Sequence, residues 1–223
     1  MPTVLITGCD SGLGREFALQ YGQAGYAVWA TYHDLQNALP AQEGMRHCAL
    51  DVTDIAQFAA LKTALGDTPI DVLVSNAGIG QDIAALQALD IAYVQRMLAT
   101  NTIGPLKLVQ TLVDNVAASA QRRIVFVSSR MGSIALNLSG GHYGYRASKA
   151  ALNAIGRSLA IDLFRRGITL ALVHPGSVRT AGGNPLAPLT AAQSVQAMRA
   201  TIAQLGNHET GVFCSYNGQL LPW

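Results

Sequence analysis

Seven short runs rich in β-branched and apolar residues recur along the chain, each followed by a longer stretch or a turn. They are "TVLIT" (3–7), "AVWATY" (27–32), "MRHCAL" (45–50), "DVLVSN" (71–76), "RIVFVSS" (123–129), "ITLALVH" (168–174) and "GVFCSY" (211–216). The runs are apolar almost throughout rather than at alternate positions, as expected of strands covered on both faces. Stretches with helical character fall near 12–24, 54–65, 90–119, 145–166 and 190–205. Thr53 or Asp54 is placed to cap the second of these, and Thr190 the last. This alternation predicts an α/β chain with a doubly wound, seven-stranded parallel sheet and helices on both faces. Connections are short and no linker, repeat or low-complexity tract interrupts them, so residues 1–223 read as one domain.

Charge narrows the partners. Charged residues make up 13% of the chain and the net charge is +2, with Arg122-Arg123 and Arg165-Arg166 far apart. That pattern is no nucleic-acid stripe. Cys9, Cys48 and Cys214 are isolated, without the spacing of a disulfide framework or a zinc site, so no metal is expected. Three unpaired thiols fit a reducing compartment. No leader-like segment precedes "TVLIT" and no apolar run is long enough to span a bilayer. The expectation is a soluble cytoplasmic protein with no membrane partner.

The first strand ends in "TGCDSGLG" (7–14), and a helix follows. Gly8 permits a tight strand-to-helix turn, Gly12 lets the backbone approach a pyrophosphate, and Gly14 allows close packing of helix on strand. The helix N-terminus then faces an anion with its unpaired amides. Strand, glycines and helix together predict a nucleotide site within a Rossmann fold.

The spacing T-G-x-x-x-G-x-G resembles that of the short-chain dehydrogenase/reductase family. Further motifs of that family follow in order. They are Asp51-Val52 after the third strand, "SNAG" (75–78) after the fourth, Asn101 in "NTIGP", Ser129 in "VSSRMG", Tyr145 and Lys149 in "YRASK", and "HPGSVRT" (174–180). The stretches "SGGHYGYRASKAALN" and "YNGQLLPW" are similar to the compact carbonyl-reductase branch called sniffer-like or C-factor-like. The resemblance implies a NAD(P)-dependent oxidoreductase acting on a small carbonyl or alcohol. It implies coenzyme contacts from Gly8, Asp10, Ser11, Gly12, Leu13, Gly14, Tyr32, His33, Asp51, Val52, Asn76, Ala77, Gly78, Tyr145, Lys149, Pro175, Gly176, Val178 and Thr180. Asp51 would meet the adenine amino group.

It further implies a catalytic set of Asn101, Ser129, Tyr145 and Lys149. A phenol with a pKa of about 10 is a poor proton donor and acceptor near neutrality. An ammonium one helical turn away, together with an oxidised nicotinamide, would favour the phenolate and lower that pKa. Tyr143 has no lysine four residues on, since position 147 is Ala. Ser129 would bind the substrate oxygen. The interval from Ser129 to Tyr145 exceeds the usual family spacing, so Ser133 remains an alternative. Asn101 would perturb its helix and help hold a water that links Lys149 to solvent. His142 is given no role.

Coenzyme choice turns on "TYHDL" (31–35). An acidic side chain at the end of the second strand binds the 2′-hydroxyl of NAD, and a basic one accommodates the 2′-phosphate of NADP. Tyr32 stands in the acidic place and His33 in the basic one, with Asp34 near enough to turn inward. NADP is favoured over NAD. Arg15 is a further candidate for a phosphate. The short "AGGNPLAPL" (181–189) predicts an open pocket, broad carbonyl tolerance and high Michaelis constants. The alternative to an enzyme is a nucleotide-binding signalling or sensor protein. The helix "YRASKAALNAIGRSLAIDLF" is apolar nearly all round and is expected to be buried on every side. With the "LLPW" segment it predicts a homodimer or homotetramer.

Overall fold

The computed structural model describes residues 1–80, 85–179 and 185–223. Its strands are β1 (Thr3–Ile6), β2 (Ala27–Tyr32), β3 (Met45–Ala49), β4 (Val72–Ser75), β5 (Arg123–Val127), β6 (Thr169–His174) and β7 (Val212–Ser215). They form one 7-stranded sheet in the order β3-β2-β1-β4-β5-β6-β7. Every neighbouring pair is parallel. All strands therefore present their carboxyl ends along one edge, and the order reverses between β1 and β4. A ligand crevice opens at such a reversal.

The pleat sorts the apolar runs into two layers. Leu5, Leu73, Ile124 and Leu172 face one side, and Val4, Ile6, Val74, Val125 and Val173 the other. The first layer is closed by α2 (Ile55–Leu65), α4 (Gly104–Ala117) and α5 (Tyr143–Leu163). The second is closed by α1 (Gly12–Gln23) and α6 (Ala191–Gln204) through Phe17, Tyr21, Val195, Met198 and Ile202. Asp54 caps α2 by accepting from the Ala56 amide, and Thr190 caps α6 in a capping box with Gln193.

The helical stretch near 90–119 is not one regular helix. It divides into α3 (Ile91–Leu98), a π-helical turn (Ala99–Ile103) and α4. Tertiary contacts impose the wide turn. The Asn101 side chain is fully buried and pairs with the main chain of Ile79. Thr102 Oγ1 donates to the Ser148 carbonyl at 2.8 Å. Gly104 then passes so near the loop after β3 that an added Cβ would meet the Val52 carbonyl oxygen at 2.9 Å.

α5 buries one side only within the chain: Leu152, Gly156, Ala160 and Leu163 are buried, whereas Ala147, Ala154 and Ile161 form an exposed row at seven-residue spacing. The "LLPW" segment is only partly engaged within the chain, since Leu220, Pro222 and Trp223 are exposed. Leu221 packs on the core and the Trp223 ring stacks on Phe213 at 5.4 Å. Among the described residues no helix is long and apolar enough to cross a membrane.

Candidate active site

The crevice between β1 and β4 is held by a small set of hydrogen bonds. Asn76 Nδ2 donates to the Thr7 and Gly8 carbonyls at 3.0 and 3.1 Å. Thr7 Oγ1 accepts from the amides of Asn76 and Ala77, each at 3.0 Å. The two loops approach closely because β-carbons are missing. Gly8 has φ +74°, and a Cβ there would meet Ala77 Cα at 2.8 Å. A Cβ on Gly14 would run into the Gly8 carbonyl and the Asn76 carboxamide.

α1 starts from this turn. Asp54, Asp90 and Thr190 cap α2, α3 and α6 with their side chains, but Ser11 supplies no such bond to α1. The first-turn amides and the positive end of α1 therefore face the cleft without a side-chain acceptor, which fits a diphosphate. The cleft measures about 520 Å³. Its walls include Gly8, Asp10, Ser11, Gly12 and Leu13 on one side and Asn76, Ala77 and Gly78 on the other. Val52, His33, Tyr145, Lys149 and Pro175 complete it.

At the end of β2 the Asp10 carboxylate accepts from the amides of His33 and Asp34 at 3.0 and 2.9 Å. Asp34 caps the following turn through the Gln36 amide, and Arg15 reaches the Asn37 carbonyl at 3.3 Å. Tyr32 does not reach the cleft. Its ring is fully buried in the core layer beside Val28 and Ala30 and lies edge-on to His47. His33 is the side chain of this segment that lines the cleft, with Nε2 3.8 Å from Asp51 Oδ2. Burial alone would raise the Asp51 pKa. Two hydrogen bonds from Thr53 and the nearby His33 outweigh it and hold the carboxyl below its ordinary value.

The opposite end of the cleft is built on α5. Tyr145, Lys149 and Asn153 follow at four-residue steps and share one face. The Tyr145 hydroxyl is hydrogen-bonded to the Ser129 side chain. Lys149 is 6% exposed, and its Nζ donates to the Val127 carbonyl at 2.9 Å and lies 5.9 Å from the centre of the Tyr145 ring. Burial lowers the Lys149 pKa to about 8. Burial also raises the Tyr145 pKa, and the Ser129 hydrogen bond recovers part of that shift. In the chain alone, then, burial rather than the Lys149 charge governs the phenol.

Ser129 Oγ also accepts from the Met131 amide at 3.1 Å, and the neighbouring hydroxyls are engaged as well. Ser128 Oγ donates to Asn153 Oδ1 at 2.6 Å, and Ser133 Oγ donates to the Trp223 carbonyl at 3.1 Å. The Asn101 carboxamide is spent on protein groups. Oδ1 accepts from the Ile79 amide, while Nδ2 donates to the Ile79 carbonyl and Ser148 Oγ. It thereby fixes the 77–80 segment beside Lys149. Pro175 lines the cleft and its carbonyl accepts from Ser194 Oγ at 2.6 Å. Gly176 (φ +82°) turns under Tyr216, and Val178 bridges Leu189. Thr180 lies outside the described residues.

Several contributors were not singled out from sequence. Thr7 and Asn153 hold the frame, and Ile79, Thr100 and Val127 line the cleft. Asn153 was within reach of a sequence argument, since it continues the four-residue step from Tyr145. Thr7 carries no signal beyond its place before Gly8.

The sequence matches the description "short chain dehydrogenase" over residues 2–188. It is 41% identical over 164 residues to C-signal of Myxococcus xanthus, covering 74% of this chain and 99% of that one. The fold superposes on carbonyl reductase Sniffer of D. melanogaster with a TM-score of 0.92 and 30% identity, covering 100% of both chains. A carbonyl reductase from Pseudomonas aeruginosa PAO1 in complex with NADP gives 0.87 and 31%, again over 100% of both. With the glycine turn, the switch-point cleft and the Tyr145–Lys149 face all on one sheet edge, this chain belongs to the short-chain dehydrogenase family.

Proposed function

We propose that the chain is a NADP-dependent carbonyl reductase, or alcohol dehydrogenase in reverse, in which Tyr145 is the general acid and base. The observation that carries this reading is the Ser129–Tyr145 hydrogen bond beside the buried Lys149 amine, at the end of a cleft whose other end is an uncapped helix N-terminus. Bound there, a nicotinamide coenzyme supplies or accepts the hydride. The α1 amides would hold its diphosphate, and Gly78 and Lys149 would border its sugar. In reduction Tyr145 Oη gives its proton to the carbonyl oxygen. Ser129 Oγ donates a hydrogen bond to the same oxygen and sets the carbonyl's orientation. The Lys149 ammonium favours the phenolate that remains. Oxidation of an alcohol runs the proton transfer the other way.

The preference for NADP is supported by the end of β2. Asp10 and Asp34 there hold main-chain amides, and position 32 is turned into the core. The carbonyl reductase from Pseudomonas aeruginosa PAO1 is a complex with NADP. Cytoplasmic location is part of the same reading, as is tolerance of varied small carbonyls. A second reading, a nucleotide-dependent signalling or sensor protein, is favoured by the likeness to C-signal. A homodimer or homotetramer is supported by exposed apolar groups on α4 and α5. Ile103 and Leu106 are exposed in an apolar groove of about 490 Å³ that Leu159 and Leu163 also line, and Ile161 and Phe164 are exposed nearby in sequence.

Lys149 links function to stability. Its pKa falls from 10.5 to about 8 on folding. Below about pH 8 the amine is charged in both states, and the folded chain bears the full cost of a buried charge. Between about pH 8 and 10.5 the unfolded chain holds a proton the folded chain has released, so stability rises with pH in that window.

Tyr145→Phe is expected to lower kcat for an aldehyde panel by about 10²–10⁴-fold while the NADPH dissociation constant stays within about twofold. Activity retained in that variant would refute the assignment, and coenzyme binding without turnover in the wild type would favour the sensor. Lys149→Met should lose activity yet resist urea better than wild type at neutral pH, by on the order of 1–3 kcal/mol. That gap should shrink as the medium approaches pH 10.5; a gap independent of pH would mean the amine does not titrate in the window. His33→Asp should cut the kcat/KM ratio of NADP over NAD at least about tenfold, and an unchanged ratio would place the selection elsewhere. Sedimentation should find an assembly at micromolar concentration that Ile161→Arg dissociates, and a wild-type monomer would rule it out.

A further inference from the structure

The loop that leaves Ser129 has an anchor far away in sequence. After Ser129 the chain makes a tight turn, Arg130–Gly132, that α5 fixes directly. A Cβ on Gly132 would meet the Lys149 carbonyl group at 2.8 Å, and Asn153 Nδ2 donates to the Gly132 carbonyl at 3.3 Å. Beyond Gly132 that support ends. The segment 134–142 leads back to the start of α5 and carries Ile134 and Leu138, which are 80% and 94% exposed.

Trp223 holds the near root of this segment. Its carbonyl accepts two hydrogen bonds, from Ser133 Oγ at 3.1 Å and from the Ala135 amide at 2.9 Å. Ser133 Oγ also accepts from the Leu136 amide at 3.1 Å. The indole is fixed in turn by stacking on Phe213, a buried residue of β7. Arg146 holds the far root, through Nε to the Gly141 carbonyl and Nη2 to Ser139 Oγ. The loop is thus pinned at both ends, while the exposed apolar side chains lie between.

We propose that Trp223 is a positioning residue of the substrate pocket: it sets where the 134–142 loop stands relative to Ser129 and Tyr145, and so how apolar substituents of a carbonyl substrate are received. This rests on the carbonyl-reductase reading. The coenzyme half of the cleft is built from β1, β2 and β4 and does not touch Trp223. Loosening the clamp should therefore weaken substrate capture and leave coenzyme affinity alone. Ala135 is exposed, so its amide owes its protection from solvent exchange to the Trp223 carbonyl.

The test compares wild type with Trp223→Ala, Trp223→Phe and Ser133→Ala, using straight-chain aldehydes and NADPH. In Trp223→Ala and Ser133→Ala, amide exchange at Ala135 and Leu136 should accelerate about tenfold or more. KM for the longer aldehydes should rise about five- to tenfold with kcat within about twofold. The NADPH dissociation constant and the pH profile of kcat should not move, and Trp223→Phe should resemble wild type. Faster exchange with unchanged KM overturns the positioning role. So does a joint loss of kcat, coenzyme affinity and melting temperature, which marks a merely structural residue. A wild type that reduces none of the aldehydes overturns the functional reading and this role with it, while the exchange rates report separately whether the clamp exists.

Discussion

The crossover that leaves β1 passes through α1 on one face of the sheet, and the crossover that leaves β4 passes through α4 on the other. Their loops must part, and a crevice opens between them. Such a crevice is only as well defined as its two borders. Here Asn76 and Thr7 tie the borders together with four hydrogen bonds of 3.0–3.1 Å. The tie aims the N-terminus of α1 into the cleft and fixes the direction of the segment that follows Asn76. That segment carries Gly78 to within close range of both the Asn101 carboxamide and the Lys149 amine. Asn101 then grips Ile79, and this grip imposes the π turn between α3 and α4. Frame, cleft floor and helix irregularity follow from one seam.

The buried amine bears a desolvation cost. Lys149 has one main-chain acceptor, Val127, and loses most of its hydration. In water an ammonium keeps its charge at any pH of interest. Under this burial its charge responds to what shares the cleft with it. The same burial raises the phenol of Tyr145. Amine and phenol are therefore both pushed toward their neutral forms in the chain alone, and an anion, a sugar hydroxyl or an oxidised ring entering beside them has leverage over both. A surface Tyr-Lys pair at the same helical spacing would have none.

Much of this was legible in the residues. All seven strands lie within a residue or two of the apolar runs, because strands buried on both faces must be written that way. Tyr145 and Lys149 share a helix face because the spacing demands it. Tyr32 departs from the expectation because strand parity, not nearness to the strand end, decides which way its side chain faces. Val28, Ala30 and Tyr32 alternate onto the α1 side of the sheet, which leaves His33, just past the strand, as the side chain of this segment in the cleft. The family resemblance pointed to a perturbed helix at Asn101, but its form, a π turn, lies with a contact between Asn101 and a main chain 22 residues away. The choice between Ser129 and Ser133 was beyond reach. Spacing counts residues along a loop, whereas the partners differ through tertiary contacts: Trp223 engages Ser133, and Tyr145 engages Ser129.

The two halves of the cleft are held by different means, and this bears on what each half can vary. Around the coenzyme end, side chains within a few positions of strand ends bond directly to main chain of the neighbouring loop, and missing β-carbons leave no slack. A substitution there must satisfy several groups at once. Between Ser129 and Tyr145, the 134–142 segment is tied at its roots by Trp223 and Arg146, and its middle presents apolar side chains to solvent. No strand or helix among the described residues is drawn from that middle. Loops carried on a rigid scaffold are where binding preference can shift at small cost to the fold. On that argument the fold holds phenol and amine in a fixed relation on α5, while the exposed residues between the two clamps are free to vary.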